Sequence, residues 1–212
     1  MKALIIGATG ATGKDLVNVL LRDPDYSEVV TFVRRASGTV HPKLREIVTD
    51  FDKLEAVSEF IKGDVFFNCL GTTLKAAGSQ EKQWQIDYEI PARFAEIARK
   101  NGVRKAVSVS AYDASSKSKL FYSRMKGQLE DQIASLAFEQ DIVFKPGMLL
   151  RKDTDRPAER IIAGTLKFLN SLGLIRKFRP LSTELLAEKM AKAPKTLSAG
   201  RHVIELDKIF GF

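Results

Sequence analysis

The chain has 212 residues, 44% of them hydrophobic, and a formal net charge of +8. That length suits one large α/β core, expected over 1–212 as a single domain. The apolar runs are strand-length, so no membrane span is expected, and the single cysteine, Cys69, excludes an internal disulfide and a cysteine metal cluster.

Lys2-Ala3-Leu4-Ile5-Ile6 predicts a short buried strand, and Leu16, Val17, Leu20 and Leu21 predict an amphipathic helix. Between them stands Gly7-Ala8-Thr9-Gly10-Ala11-Thr12-Gly13, a strand–turn–helix setting that a dinucleotide fingerprint requires. Glycine permits the tight turn, lets backbone N–H groups approach a pyrophosphate, and brings helix and strand together. The helix N-terminus adds donors and partial positive charge for an anion. An ATPase-type loop is not matched, because Ala8 occupies its earlier glycine position and Asp15 its metal-binding hydroxyl position.

Further along, β-branched and aromatic runs predict strands at 29–33, 44–48, 64–69, 105–109 and 141–145. Helices are expected at 52–61, 83–100 and 121–139, the second stopping at a left-handed Asn101-Gly102 cap. Alternating βα units predict an α/β, doubly wound parallel sheet whose ligands bind beyond the carboxyl ends of the strands. After Pro146, residues 147–200 are expected to contribute a short substrate cap, with helices at 157–172 and 183–192, before a late strand at 202–206.

The strand ends carry the chemistry. The second ends in Arg34-Arg35, where an acid would hold ribose hydroxyls. Two guanidinium groups suit a 2′-phosphate instead, so NADP(H) is expected over NAD(H), unless these are plain surface charges. The third runs into Asp50-Phe51, which could flank an adenine, with an N-cap role for the acid the alternative. The fourth ends in Cys69-Leu70-Gly71-Thr72, a small-residue turn for a cofactor ribose, Cys69 reading as core rather than nucleophile. Ser110 follows the fifth strand, and Tyr122 and Lys126 stand four apart on the next helix. A lysine ammonium beside a tyrosine favours the phenolate and brings it into acid–base range. Alone, such a pair is common and more often structural than catalytic; its value comes from its place after the fifth strand of a chain that opens with the glycine turn. His41 and His202 sit in no ligand pattern, and no metal is expected. Positive charges are dispersed and not interleaved with aromatics, so no nucleic acid partner is expected.

The glycine turn, the Ser110/Tyr122/Lys126 set and Lys145-Pro146-Gly147 resemble the short-chain dehydrogenase/reductase superfamily. Tyr122-Ser123-Arg124-Met125-Lys126-Gly127 running into Leu129-Glu130, with Leu149-Leu150 and later Arg156-Pro157, resembles its atypical, Tat-interacting-protein-like branch. The resemblance implies a Rossmann-type fold and cofactor contacts from Gly7, Thr9, Gly10, Ala11, Thr12, Gly13, Arg34, Leu70, Gly71, Thr72, Lys126, Pro146, Gly147, Met148 and Leu149. Reduction of a small carbonyl compound is then expected: Ser110 polarising the carbonyl, Tyr122 donating the proton, and Lys126 holding the ribose. The alternative is a non-catalytic NAD(P)(H)-sensing adaptor with a protein partner, and a homodimer is compatible with either. Met1 against the first strand leaves no room for a signal peptide, so a cytoplasmic protein is expected.

Overall fold

The computed structural model describes residues 1–150 and 179–212. Seven strands form one sheet: β1 (Lys2–Ile6), β2 (Glu28–Val33), β3 (Leu44–Val48), β4 (Val65–Asn68), β5 (Lys105–Val109), β6 (Gln140–Lys145) and β9 (Gly200–Glu205). Their order is β3-β2-β1-β4-β5-β6-β9, and every pairing is parallel. This is the Rossmann-type sheet, whose order reverses direction between β1 and β4 and leaves a crevice there.

Strands of such a sheet are buried on both faces, which explains their unbroken apolar runs. On one face Ile5, Phe67 and Phe144 pack with Leu16 and Leu20 of α1 (Ala11–Arg22) and with Leu186 and Met190 of α6 (Thr183–Thr196). On the other, Leu4, Phe32 and Phe66 meet Phe94 of α4 (Ile90–Lys100) and Leu129 and Ile133 of α5 (Phe121–Ser135). The Phe94 ring lies 4.9 Å from both Phe32 and Phe66, an aromatic contact that adds to its buried area.

Three elements depart from the sequence reading. Residues 52–61 form a 3₁₀ turn, Phe51–Phe60, broken at Lys53, because the Asp50 carboxylate accepts the Asp52 N–H and competes with the α ladder. Asp50 therefore caps this turn. The expected helix at 83–100 is α3 (Gln80–Trp84), a π turn (Gln85–Glu89) and then α4. Pro91 has no N–H for the Asp87 carbonyl four residues back and its ring crowds it, so the turn widens there. The third departure is α6, expected in the cap region, which packs against α1 as a core layer. The expected helix at 157–172 lies outside the described residues. Gly102, at φ 87, does form the left-handed cap, its N–H donating to the Arg99 carbonyl at 3.1 Å.

Candidate functional site

The glycine turn lies on the reversal point of the sheet. Gly7 has φ +80, and a Cβ there would stand 2.4 Å from the Cys69 carbonyl carbon at the end of β4. A Cβ on Gly13 would stand 2.1 Å from the Gly7 oxygen. These two glycines are needed for the fold itself. Gly10 differs: it is exposed, and its added Cβ would meet only the Gly7 oxygen at 3.3 Å. As the N-cap of α1 with no side-chain cap, it leaves the Ala11, Thr12 and Gly13 amides without intrahelical partners. Open backbone, free donors and a helix N-terminus fit a dinucleotide pyrophosphate.

The turn after β4 is clamped from two sides. Asp87, on the π turn and wholly buried, accepts the Thr72 N–H through Oδ1 at 2.8 Å, while Gln83 Nε2 donates to the Thr72 carbonyl at 3.1 Å. Lys126 Nζ reaches across from α5 to the Leu70 carbonyl at 3.3 Å. Burial pulls Lys126 below the ordinary lysine range, with Asp87 and Glu130 opposing the shift. Burial likewise raises the Asp87 carboxyl, with Lys126 opposing. The Cys69 thiol, partly buried against the core, is pushed up to about 12 by burial, against the pull of Lys126, which disfavours the thiolate. Asp87 and Gln83 went unnoticed in the sequence; a proline four residues after an acid was the available signal.

Tyr122 stands in the first turn of α5, one turn before Lys126, and is 40% exposed where Lys126 is 3% exposed. The pair thus runs from the open side of α5 into its buried face. The loop before α5 is pressed onto the helix: a Cβ on Gly127 would stand 2.2 Å from Ser115 backbone, and Ser123 Oγ donates to Asp113. Ser110, just past β5, is 8% exposed, and its hydroxyl donates to Glu130 on α5. A hydroxyl has one proton. In this arrangement its partner is the Glu130 carboxylate. Glu130 in turn meets Lys145 Nζ at 2.9 Å, and Lys145 donates to the Ala114 carbonyl at 3.1 Å. No spacing in the sequence marks Glu130 as the partner of Ser110 or Lys145 as the partner of Glu130.

Arg34 and Arg35 follow β2, are exposed, and form no ion pair among the described residues. Phe51 is half-buried against the second core cluster. Beyond β6, the Pro146 carbonyl accepts the Tyr112 N–H at 3.2 Å and the Met148 carbonyl accepts the Leu181 N–H at 2.9 Å. The parallel pairing of β7 (Leu149–Leu150) with β8 (Leu181–Ser182) then holds this segment. Gly147 is exposed. The strand ends of β1, β2, β4, β5 and β6 thus bring the expected residues to one edge of the sheet.

Residues 3–129 match the NAD dependent epimerase/dehydratase family. The chain belongs to that family. It is 34% identical over 178 residues to "Protein fmp52, mitochondrial" of Emericella nidulans, covering 79% of this chain and 76% of that one. Its fold is that of MoeE5 in complex with UDP-glucuronic acid and NAD, at a TM-score of 0.73 and 16% identity, over 97% of this chain and 76% of that one. A short-chain dehydrogenase/reductase superfamily protein from Agrobacterium tumefaciens with bound NAD gives a TM-score of 0.70 at 15% identity, over 97% of this chain and 77% of that one. The resemblance is borne out at the level of the atypical superfamily; none of these matches is to the Tat-interacting branch.

The cytoplasmic expectation is corrected by these relatives. The Emericella protein carries a mitochondrial name, as do relatives from Eremothecium gossypii and Candida albicans. A compartment is set by receptor-read signals, which the composition of a folded core does not reveal. Among the described residues, no helix is long and apolar enough to cross a membrane.

Proposed function

We propose that the protein is an NADP(H)-dependent oxidoreductase that reduces a small carbonyl compound, with NAD(H) as a weaker cofactor. The observation that carries this reading is Lys126, buried and bonded to the Leu70 carbonyl at the reversal point, with Tyr122 one helical turn nearer the open side. The glycine turn and the free amides of Ala11, Thr12 and Gly13 would hold the pyrophosphate, and Arg34 with Arg35 the 2′-phosphate. Leu70, Gly71, Thr72 and the segment from Pro146 to Leu149 would flank the nicotinamide half. Family membership and the NAD bound by two structural neighbours support a dinucleotide.

When bound, a reduced nicotinamide supplies the hydride that goes to the carbonyl carbon. Tyr122 then gives its phenolic proton to the carbonyl oxygen, leaving an alcohol and a phenolate. The Lys126 ammonium stabilises that phenolate, which solvent reprotonates. Residues 1–212 act as one domain in this reading, and part of 147–200 covers the substrate. The relatives' mitochondrial location is extended to this chain.

The test is turnover of an aldehyde and ketone panel with NADPH, alongside the Tyr122→Phe variant. Loss of the hydroxyl lowers turnover by about 10² or more while cofactor affinity survives. A parent that binds NADPH tightly and reduces nothing overturns the enzyme reading in favour of the NAD(P)(H)-sensing adaptor.

A further inference from the structure

Leu206, the first residue past β9, holds a φ of +49 and is 4% exposed. The left-handed region crowds a Cβ against the carbonyl oxygen, so a residue other than glycine stays there only where its surroundings hold it. Among the described residues, Ala137 alone shares this conformation, and it follows the end of α5, where a left-handed turn is ordinary. Leu206 ends a strand instead. Its N–H donates to the Lys145 carbonyl at 3.0 Å, and its own carbonyl accepts the Ile209 N–H at 3.2 Å. The short helical turn that follows, Lys208–Gly211, locks it in place. Ile209 is fully buried, the Arg179 guanidinium lies 4.5 Å over the Phe210 ring, and the Phe212 ring lies 6.1 Å from Phe144 of β6.

The turn brings the Leu206 side chain against Gly147. A Cβ built on Gly147 would stand 3.2 Å from Leu206 Cδ2, closer than an ordinary contact. Gly147 does not have a positive φ, so no backbone conformation demands glycine there. What its missing side chain admits is Leu206. The next residue, Met148, accepts the Leu181 N–H at 2.9 Å. The segment after β6 is therefore held at two successive residues, by Leu206 and by Leu181.

We propose that Leu206 is a positioning residue for the nicotinamide half of the cofactor: its strained turn fixes the side chain against Gly147 and so sets where Pro146 to Leu149 stand. This rests on the reading that the segment flanks the nicotinamide; the contact between Leu206 and Gly147 stands without it. Leu206 acts through Gly147. A segment already held where the ligand needs it loses less freedom on binding, so the support appears as affinity. Glycine at 206 would relax the turn and leave Gly147 without this partner, which gives the strained leucine a purpose. The effect is confined to one half of the cofactor. The adenosine half is assigned to the glycine turn and Arg34, after β1 and β2, and β4 and β5 separate β1 from β6 in the sheet.

Two measurements test it. The first compares NADPH with 2′,5′-ADP, which carries the adenosine half and no nicotinamide. Leu206→Ala keeps a Cβ in the strained turn and removes the packing against Gly147. Its NADPH affinity falls by about tenfold while its 2′,5′-ADP affinity stays at the parent value. Leu206→Met, of similar volume, retains the parent's NADPH affinity. Gly147→Ala pushes on Leu206 and weakens NADPH in the parent, but adds little in the Leu206→Ala background. Equal losses of NADPH and 2′,5′-ADP mark a general loss of structure and overturn the proposal. Unchanged NADPH affinity in Leu206→Ala, or strictly additive effects of the two substitutions, overturns it as well.

The second measurement uses the protein without cofactor. Hydrogen exchange of the Leu181 amide, which is bonded to Met148, speeds up by about tenfold in Leu206→Ala and not in Leu206→Met. Unchanged exchange in Leu206→Ala overturns the positioning of the segment, whatever the protein binds. A parent that binds neither NADPH nor NADH overturns the cofactor reading and the nicotinamide role together, while the exchange result still decides whether Leu206 holds the segment.

Discussion

Lys126 Nζ lies 3.3 Å from the carbonyl oxygen of Leu70, a residue 56 positions earlier in the chain. The bond joins the middle of α5 to the turn after β4, across the reversal point of the sheet. Asp87 holds the same turn through the Thr72 N–H at 2.8 Å. The turn is thereby held by a buried cation and a buried acid.

Removing the cation tests this clamp. Lys126→Met keeps the stem and loses the donor to Leu70 and the charge beside Asp87. Dinucleotide affinity falls at least tenfold, roughly the loss of one hydrogen bond to a charged group, and thermal stability drops because Asp87 is left buried without its cation. Lys126→Arg does not restore binding, since a planar fork does not fit a slot shaped for an ammonium. Calorimetry and melting curves on the same samples decide it; unchanged affinity in Lys126→Met is the contrary result.

The three glycines separate by role. Gly7→Ala and Gly13→Ala force a Cβ into backbone at 2.4 Å and 2.1 Å respectively, and Gly7 also loses its φ of +80. Each costs about 3 kcal/mol or more in stability. The Cβ that Gly10→Val adds meets only the Gly7 oxygen at 3.3 Å, so the fold survives with a loss of about 1 kcal/mol at the N-cap. Its branched side chain occupies the approach to the free amides, and dinucleotide binding is lost. Circular dichroism melts with cofactor titration check both halves. A folded Gly10→Val protein that binds normally refutes the placement of the pyrophosphate.

Arg34 and Arg35 form no ion pair among the described residues, so removing one leaves the fold alone. Arg34→Ala changes stability by less than about 0.5 kcal/mol, the usual result at an exposed site. Its effect is on cofactor choice: NADPH binds the parent more tightly than NADH by about 1.5–3 kcal/mol per charged hydrogen bond, and the variant loses most of that margin. Equal affinities of the parent for the two cofactors count against the assignment.

Asp141 is 4% exposed, and burial raises its carboxyl above the ordinary range, with Arg201 opposing and Glu130 adding to the rise. A folded-state value above the unfolded one means that the folded protein holds the extra proton. Stability from this group is therefore present below the unfolded value of about 3.9 and is lost as pH rises through the folded value. Asp141→Asn removes that dependence. The variant gains on the parent as pH climbs from about 4, then the difference levels off once the folded-state value is passed. Denaturant unfolding across this range measures it, and a parallel pair of stability curves contradicts the argument.

Much of the fold was legible because the signals that carry it are local. A strand buried on both faces reads as an apolar run wherever it lies, and Gly7 to Gly13 declares a strand–turn–helix crossing through its own backbone requirements. Tyr122 and Lys126 were placed on one helical face by spacing alone. Pro91, by contrast, was overlooked inside an expected helix, and with it the π turn that carries Asp87. What the tertiary structure decided are the pairings over distance. Ser110 meets Glu130 only because β5 and α5 pack at that level; Lys126 meets Leu70 only because β4 adjoins β5, the strand that leads into α5; and α6 joins α1 beneath the sheet although its place in the chain suggested a cap. Hydrogen-bond partners and the burial of a charge depend on which strand lies next to which. That order comes from packing the whole sheet, and no stretch of a dozen residues contains it.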